Sequence, residues 1–353
     1  MTNNSKIVFP AEWDDRVKSI LIAFPQENMD WNYMLDEIRN CYIKLIKAIT
    51  DIACLNVTIL ASDIKETSRI LTDNDVDMSR ISLCSCENND SWTRDYGPIT
   101  VEIEGAPVLL DFCFNGWGMK FAANHDNLVN SVLESRNLWK FPVINNRDFI
   151  IEGGALESDG NGTVMTNIGI LAPNRNDKMT KSEVEETLKK RLGCKQILWV
   201  HHGNLFGDDT DGHIDTKARF VDPSTIIYVK SYNPEDKIQF EELQLMEKEL
   251  QSFSNRNELP YRLIPLLLPS PQYDKEGNRL PATYANFLIT PRAILFPTYR
   301  NEREDNQAAL ILSQAFPGKI IKGVDCVPLI QQHGSLHCAT MQIFDKINND
   351  ENS

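Results

Sequence analysis

Four short, well-separated segments of this chain carry residues that could perform nucleophilic chemistry on a cationic substrate. They supply a thiol, a histidine and several carboxylates, and they are 92–98 (WTRDYGP), 151–154 (IEGG), 208–215 (DDTDGHID) and 333–338 (HGSLHC). Carboxylates can bind a planar, delocalised cation in bidentate fashion, and a thiolate beside them can attack its carbon. The combination predicts attack of a cysteine on a guanidinium carbon.

The segment 208–215 is the most acidic of the four, with four aspartates within eight residues. Carboxylates at that density repel one another and need a cation, protonation or hydrogen bonds to lie together. A divalent metal is an alternative cation, and the candidate ligands of such a metal-dependent hydrolase are His201, His202, Asp209, Asp211, His213 and Asp215. Asp211, His213 and Asp215 could all face one side only if the segment is extended. An EF-hand is excluded, because counting from Asp209 puts Ile214 and Phe220 where that loop requires Gly and Glu.

Cys338 is the thiol that the sequence singles out from eight cysteines. No two cysteines form a C-x-x-C pair, so neither a structural zinc site nor a disulfide framework is expected. Cys338 follows a polar segment that contains Gly334, and it precedes a strand pattern. That placement predicts a side chain at the rim of a sheet, where a substrate can reach it.

The overall charge is acidic, with 36 Lys and Arg against 50 Asp and Glu and a formal net charge of -14. This charge makes nucleic acid and anionic membranes poor partners and favours a small cation. The first residues lack the charged-then-apolar pattern of a signal peptide, and no apolar run approaches the roughly 18 residues of a membrane span. We predict a cytoplasmic protein without a membrane partner.

Short strand-like apolar runs alternate with helical patterns along the chain, which predicts an α/β protein. Helices are predicted at 33–51, 181–192 and 236–253, and strands at 20–24, 225–230, 287–290, 293–296 and 339–343. The helix at 181–192 is the best marked, because Thr180 and Glu183 form a capping box and Gly193 follows the last turn. No linker interrupts the pattern, so residues 1–347 are predicted to form one domain and 348–353 a disordered tail.

The reactive residues recur at a coarse interval. Asp95 and Glu152 are 57 residues apart, Glu152 and His213 are 61 apart, and His213 and Cys338 are 125 apart, about two such steps. The segment 279–287, with small residues and a strand pattern, lies midway through the double step. Repetition at roughly 60 residues suggests similar units around a shared centre.

The motifs as a set resemble the agmatine deiminase and bacterial-type peptidylarginine deiminase family. The resemblance rests on 10–13 (PAEW), 92–98, 115–118 (NGWG), 152–154, 208–215, 281–287 (PATYANF) and 336–342 (LHCATMQ), so it runs from near residue 10 to about 343. It implies the pentein fold, a five-bladed α/β propeller with pseudo-fivefold symmetry around a central active site.

The same resemblance implies a role for each reactive residue. Cys338 would be the nucleophile and His213 the general acid/base, Asp95 and Asp215 would hold the guanidinium nitrogens, and Glu152 would support His213 and the substrate. The implied reaction is hydrolysis of agmatine to N-carbamoylputrescine and ammonia through a covalent amidino-cysteine intermediate, in putrescine and polyamine biosynthesis. These groups cover every proton and bond change, so no metal and no organic cofactor is expected.

Substrate selection is expected to depend on the residues around the substrate tail, which is the part of the substrate beyond its guanidinium group. Trp92 and Trp117 could line the path of the methylene chain, and surplus carboxylates such as Asp209 could attract a terminal ammonium. Agmatine fits this expectation better than free arginine, whose carboxylate would need a cationic partner. It also fits better than peptidyl-arginine, because a secreted protein-modifying deiminase would be expected to carry a signal peptide and an additional domain, and the sequence shows neither. A catalytically inactive binding protein is an alternative of another class, and the presence of both Cys338 and His213 disfavours it.

Two departures from the family pattern concern the tail pocket rather than the reaction. The segment 333–336 (HGSL) replaces a run of glycines before the nucleophile, and Lys217 stands near the site where apolar residues are more usual. The sequence leaves the oligomeric state open, and a homo-oligomer is compatible with it.

Overall fold

A computed structural model describes residues 6–344 of the chain, and the predicted tail at 348–353 lies outside these described residues. Strands and helices alternate along the described range, so the predicted α/β class is confirmed. The strands are β1 Ile7–Val8, β2 Ser19–Ala23, β3 Asn56–Ala61, β4 Ile81–Ser85, β5 Ile99–Ile103, β6 Ala106–Cys113, β7 Val143–Ile150, β8 Leu156–Ser158, β9 Thr163–Asn167, β10 Gln196–Val200, β11 Ala218–Asp222, β12 Thr225–Lys230, β13 Arg262–Leu267, β14 Gln272–Tyr273, β15 Arg279–Leu280, β16 Leu288–Ile289, β17 Ala293–Thr298, β18 Ile320–Asp325 and β19 Met341–Ile343.

The helices alternate with these strands along the chain. The α-helices are α1 Leu35–Lys47, α2 Ile64–Asp73, α3 Thr93–Tyr96, α4 Val129–Ser135, α5 Lys181–Leu192, α6 Lys237–Ser252, α7 Glu302–Ala315 and α8 Val327–Ile330. Single 3₁₀ turns are Asn32–Met34, Met78–Arg80, Asp126–Leu128, Gly153–Ala155, Ile168–Leu171 and Ile214–Thr216, and a π-helical turn, Ala48–Ile52, extends α1. No helix within residues 6–344 is long and apolar enough to cross a lipid bilayer.

Five of the six sheets formed by residues 6–344 share one topology. Each contains an antiparallel pair of strands, then a helix, then a third strand that returns parallel to the second. The five units are β5–β6–α4–β7, β8–β9–α5–β10, β11–β12–α6–β13, β16–β17–α7–β18 and β19–β2–α1–β3. The last unit joins the two ends of the chain, because β19 pairs with β2. The arrangement of the units as blades about a pseudo-fivefold axis stays a prediction.

The local signals that predicted the helices are visible in their ends. The capping box of Thr180 and Glu183 is formed, and Gly193 ends α5 with a φ of 71°, a left-handed conformation that glycine adopts readily. The predicted helix at 33–51 is divided into the 3₁₀ turn, α1 and the π-helical turn. Helix α6 differs from its prediction by one residue at each end.

Two predicted strands are shorter in the structure than in the sequence pattern. The predicted strand at 287–290 is reduced to β16 because Thr290 closes a tight turn with Ala293, through both backbone and hydroxyl hydrogen bonds. The predicted strand at 339–343 is reduced to β19 because the backbone N–H of Ala339 donates to the carbonyl of Ser335. In both places the turn includes predicted strand residues with apolar or β-branched side chains, which are typical of strands, so the sequence pattern predicted a longer strand.

The first strand of each unit is preceded by one of the segments that carry reactive residues. Segments 93–98, 152–155, 213–217, 281–287 and 336–340 lead into β5, β8, β11, β16 and β19, in that order. Strands β2, β9 and β16 are buried at every position, so the sheets to which these segments connect are part of the core. The interval of roughly 60 residues in the sequence is therefore the length of one unit.

Candidate active site

Cys338 lies at the base of a cavity of about 140 Å³ and is held there by Asn286. The side-chain carbonyl of Asn286 accepts hydrogen bonds from the backbone N–H of His337 (2.9 Å) and of Cys338 (3.3 Å), and it lies 3.5 Å from the Cys338 sulfur. Cys338 as a whole is only 8% exposed and it lines the cavity, so a substrate would reach the thiol through that cavity. The residue leads into β19, which is consistent with the predicted position at the rim of a sheet. Asn286 lies in a segment that the family resemblance included, but its contact with the thiol had no signal in the sequence.

Asp215 stands beside the thiol with one carboxylate oxygen paired and the other unpaired. Its Oδ2 lies 2.7 Å from His337 Nδ1 and 4.0 Å from the sulfur of Cys338. Its Oδ1 is buried and has no hydrogen-bond partner among the residues that the structure describes. A buried acceptor without a partner is costly, on the order of 1–3 kcal/mol. The oxygen is therefore ready to receive a donor from a ligand.

A buried ionic network behind Asp215 keeps this carboxylate charged. His337 bridges Asp215 and Glu12, whose Oε2 lies 3.0 Å from His337 Nε2. Arg219, which is fully buried, pairs with Glu12 and with Glu157, the latter at 2.8 Å. Burial alone would raise the pKa of Glu12, but Arg219 and His337 lower it to about 2. In the same way burial would raise the pKa of Asp215, and the hydrogen bond with His337 lowers it.

His213 lies between two other carboxylates of the site. Its Nε2 is 2.9 Å from Glu152 Oε2, and its Nδ1 is 3.6 Å from Asp95 Oδ1. Burial alone would lower the pKa of His213, but the charge of Asp95 and the hydrogen bond to Glu152 raise it to about 9. The imidazole therefore carries a proton at neutral pH and can act as a general acid.

Gly154 is the point at which three of the predicted site residues meet. A Cβ at this position would lie 2.5 Å from His213 Nδ1, 2.9 Å from Asp95 Oδ1 and 3.3 Å from Asp215 Oδ1. Its backbone N–H donates to Asp95 Oδ1 at 2.9 Å. Any side chain here would displace the acid or the histidine, which explains why a glycine follows Glu152 so closely.

Glu152 is oriented by Arg175, a residue that sequence reasoning missed. The Nε of Arg175 donates to both carboxylate oxygens of Glu152, at 2.8 and 3.1 Å. Burial alone would raise the pKa of Glu152, but the hydrogen bond with His213 and the charge of Arg175 lower it. The ionised Glu152 in turn fixes the ring of His213. Arg175 follows a 3₁₀ turn in an irregular segment, so no periodic pattern marked it.

The walls of the cavity contain the residues predicted to contact the substrate tail. Trp92 and Trp117 both line it, and the indole N–H of Trp117 donates to Asp95 Oδ2 at 2.9 Å. A Cβ on Gly334 would collide with the ring of Trp92, so Gly334, in the unusual segment 333–336, packs directly against this tryptophan. Asp209 also lines the cavity, as predicted.

The cavity is more acidic than the sequence analysis had assigned. Five of its lining residues are aspartates, and the described lining residues include no lysine or arginine; the aspartates are Asp30, Asp90, Asp95, Asp208 and Asp209. Burial raises the pKa of Asp90 to about 8 and that of Asp209 to about 6. Both carboxyls would gain from a cation, because a nearby positive charge favours their ionised forms.

The alternative set of metal ligands is dispersed in the structure. His201 and His202 hydrogen-bond to Glu249 and Glu242 of α6, at 3.0 and 3.4 Å. Asp211 has a φ of 65° and pairs with other side chains, so the segment around it is not extended. Across residues 6–344, no group of three or more His, Cys, Asp or Glu side chains has an arrangement that could hold a metal ion.

Lys217 is close to the site in sequence but does not line the cavity. Its side chain is buried, and its amine donates to Asn204 Oδ1 at 2.7 Å and to the carbonyl of His202 at 3.2 Å. Burial lowers the pKa of this amine to about 8. The lysine thus supports the segment 202–204 behind the cavity wall.

Comparison with known proteins places this fold and site among deiminases. The sequence profile of the Porphyromonas-type peptidyl-arginine deiminase family matches residues 8–343. A solved structure from Porphyromonas gingivalis, described as a putative arginine deiminase, is 41% identical, with a TM-score of 0.89 over 98% of this chain and 100% of that one. A variant of C. jejuni agmatine deiminase solved with substrate bound is 33% identical, with a TM-score of 0.88 over 99% of each chain.

Two further proteins, one similar in sequence and one similar in fold alone, show how far the similarity extends. A protein of Legionella pneumophila named as a putative agmatine deiminase is 30% identical over 94% of this chain and 93% of its own. Dimethylarginine dimethylaminohydrolase is only 10% identical, with a TM-score of 0.51 over 93% of this chain and 100% of that one, and it shares the fold alone. The chain belongs to the Porphyromonas-type peptidyl-arginine deiminase family. The predicted family and the pentein fold class are confirmed.

Replacement of Arg219 tests the buried network. We expect Arg219→Met to lower the free energy of unfolding by about 3–5 kcal/mol, because Glu12 and Glu157 would remain buried without their cation. The matched control is Arg69→Met on α2, where an exposed guanidinium pairs with Glu66 and Asp73 and its loss should change little. Urea titration followed by tryptophan fluorescence measures both. Equal stabilities for the two variants would contradict the structural role of the network.

The raised pKa of His213 predicts a pH-dependent contribution to stability. Its pKa rises from 6.5 to about 9 on folding, so the stabilisation from the bound proton is complete below about pH 6.5 and is lost as the pH rises through about 9. The melting temperature of the native protein should therefore exceed that of His213→Gln most at pH 6, and the difference should shrink by pH 10. The control is His201→Gln on the surface. A difference that stayed constant or grew with pH would show that the proton is not held as described.

Proposed function

We propose that the protein is an agmatine deiminase, a hydrolase of the C–N bond of a linear amidine, which converts agmatine and water to N-carbamoylputrescine and ammonia. The observation that carries the proposal is the composition of the cavity above Cys338. Five aspartates line this cavity, one of which, Asp95, is also a carboxylate partner of His213, and the described lining residues include no lysine or arginine. A substrate with a cationic guanidinium at one end and an ammonium at the other matches this lining.

The guanidinium would be held by the carboxylates nearest the thiol. Asp215 Oδ1 is buried and unpaired, so one guanidinium N–H can satisfy it. Asp95 is fixed by Trp117 and by the N–H of Gly154, which leaves its carboxylate in one orientation beside His213. Two carboxylates so placed would hold the cation in one plane, with its carbon above the sulfur.

The cationic substrate would also help to form the nucleophile. Burial raises the pKa of the Cys338 thiol well above its usual value, and the charges of Asp215 and Asp95 raise it further. Binding of a guanidinium neutralises these charges and favours loss of the thiol proton to solvent. The thiolate then attacks the guanidinium carbon and forms a C–S bond, which gives a neutral tetrahedral adduct.

Collapse of this adduct requires the proton of His213. The imidazolium donates it to one amino group, the C–N bond breaks, and ammonia leaves behind a cationic amidino-cysteine. His213 is now neutral and takes a proton from water as the water attacks the same carbon. The C–S bond then breaks, the hydroxyl proton passes to the sulfur, and the ureido product and the thiol of Cys338 are formed.

The product connects the proposal to polyamine chemistry. N-carbamoylputrescine differs from putrescine only by its carbamoyl group, so a carbamoyl-removing reaction would complete putrescine formation. The relatives named as agmatine deiminases support this assignment. A solved relative at 39% identity is described as a putative peptidyl-arginine deiminase, which makes peptidyl-arginine the second candidate substrate.

Substrate discrimination tests the assignment. We expect kcat/KM for agmatine to exceed that for free arginine by at least about 100-fold, because the added carboxylate would be desolvated among aspartates without a cationic partner. Ammonia release from agmatine, arginine, dimethylarginine and a peptidyl-arginine, measured with a chelator present, gives the ranking. Comparable values for arginine and agmatine would end the substrate assignment and leave the deiminase chemistry intact. Loss of activity on chelation, restored by a divalent ion, would favour a metal-dependent hydrolase.

Separate variants of the thiol and of a carboxylate test the mechanism. Cys338→Ser should reduce kcat by at least about 10³-fold and retain agmatine binding, because the carboxylates that hold the cation remain. Asp95→Asn should weaken binding roughly 10- to 100-fold, since a hydrogen bond to a charged group contributes about 1.5–3 kcal/mol. Cys54→Ser, at an exposed cysteine, is the control. Calorimetric binding and ammonia release separate the two effects, and substantial turnover by Cys338→Ser would refute the nucleophile assignment.

A further inference from the structure

The segment 115–121, which we call the aromatic loop, has an unusual backbone beside the cavity. Four successive residues have positive φ values: Gly116 (66°), Trp117 (54°), Gly118 (82°) and Met119 (66°). Glycine adopts this conformation freely, but for any other residue it costs roughly 1–2 kcal/mol. At Trp117 and Met119 this cost is offset by hydrogen bonds within the segment and by contacts outside it.

Besides the hydrogen bond of Trp117 to Asp95, contacts with two neighbouring segments hold the aromatic loop. On one side Asn115 donates to the carbonyl of Asn174 at 2.7 Å, and the amide of Asn174 donates back to the carbonyl of Gly118 at 3.2 Å. On the other side Lys120 reaches across to residues 208–213, which we call the acidic loop. Its amine donates to the carbonyl of Asp209 at 2.6 Å and to Asp211 Oδ2 at 2.8 Å.

The two loops form facing walls of the same cavity. Trp117 and Phe121 of the aromatic loop line it, and so do Asp208, Asp209 and Thr210 of the acidic loop. The side chain of Phe121 is 44% exposed and packs edge-on against Trp117, with ring centres 5.6 Å apart. The Lys120 contacts therefore join the two walls.

We propose that the ion pair of Lys120 and Asp211 is a latch that keeps the aromatic loop closed over the Cys338 cavity and restricts it to small, unbranched guanidinium compounds. Lys120 is thus a specificity-determining residue. The substrate part of this inference rests on the proposed function, whereas the closure of the cavity rests only on the contacts of the two loops.

The latch has one fixed partner and one movable partner. Asp211 Oδ2 also accepts from Arg175 Nη1 at 2.5 Å, and Arg175 is anchored on Glu152 inside the site. The Arg175 side chain is only 2% exposed, whereas those of Lys120 and Asp211 are each 38% exposed. Arg175 thus holds Asp211 in place from within, and Lys120 is the partner that can leave.

Release of Lys120 would relax the strained backbone and open the cavity. The backbone at Trp117 and Met119 would lose the outside contacts that Lys120 makes, and Trp117 would move away from Asp95. A wider mouth would admit an arginine side chain attached to a peptide backbone. It would also weaken the orientation of Asp95 that a small substrate requires.

Alkylation of Cys338 by reagents of different size measures closure without any turnover. Iodoacetamide is the small probe and a pyrenyl maleimide the bulky one, and mass spectrometry of the Cys338 peptide gives each rate. In Lys120→Met the ratio of bulky to small labelling should rise at least about threefold, from loss of a partly exposed ion pair. Using the ratio cancels any change in thiol ionisation. Lys120→Arg should retain the native ratio, and so should Lys275→Met, an exposed lysine between β14 and β15.

Asp211→Asn and substrate kinetics complete the test. Asp211→Asn should raise the labelling ratio as well, and the double variant should exceed Lys120→Met alone by little, because Lys120→Met already removes the contacts of this amine with both Asp211 and the carbonyl of Asp209. In Lys120→Met, kcat/KM for a peptidyl-arginine relative to agmatine should rise at least about threefold. Unchanged labelling ratios in both single variants would overturn the latch. Altered labelling with no turnover of any guanidinium compound would retain the latch and refute the proposed function.

Discussion

The site depends on keeping the carboxylate of Asp215 ionised where water does not reach it. A buried charge of this kind is stable only when it is paired and hydrogen-bonded. His337 supplies the hydrogen bond, Glu12 supports His337, and Arg219 balances Glu12 and Glu157. The charge pairs continue from Asp215, beside the thiol, to Glu157, so removal of one member leaves another unpaired.

This network also decides which chemistry the thiol can perform. Cys338 is surrounded by carboxylates, and such surroundings oppose a free thiolate. A cysteine that must attack any electrophile would be placed near cations instead. In the proposed reaction this arrangement would couple formation of the thiolate to the arrival of a cation, which would protect the thiol from indiscriminate reaction.

The sequence singled out the five proposed reacting groups but not the groups that hold them. Cys338, His213, Asp95, Glu152 and Asp215 stand in short motifs whose residue types identify their chemistry, and the structure brings all five together. Their supports have no such motif, because each acts through a partner far away in the chain.

The distances along the chain explain what was missed. His337 and Glu12 are 325 residues apart, and Cys338 and Asn286 are 52 apart, so neither contact leaves a local pattern. Helix α5 was predicted at its observed bounds because its capping box and Gly193 are local signals. The strand at 339–343 was overestimated because the turn that shortens it is formed by Ser335, outside the apolar run.

The pairing of β19 with β2 determines when the site can form during synthesis. Strand β2 is synthesised long before β19, so it must wait for the four intervening units before its partner appears. The segment that carries Cys338 is made with that partner, so four of the five contributing segments exist before the thiol does. A nascent chain can thus assemble the acidic half of the site but holds no nucleophile. The proposed nucleophile is present only once the segment before β19 has been made, when β19 can pair with β2 and complete the unit β19–β2–α1–β3.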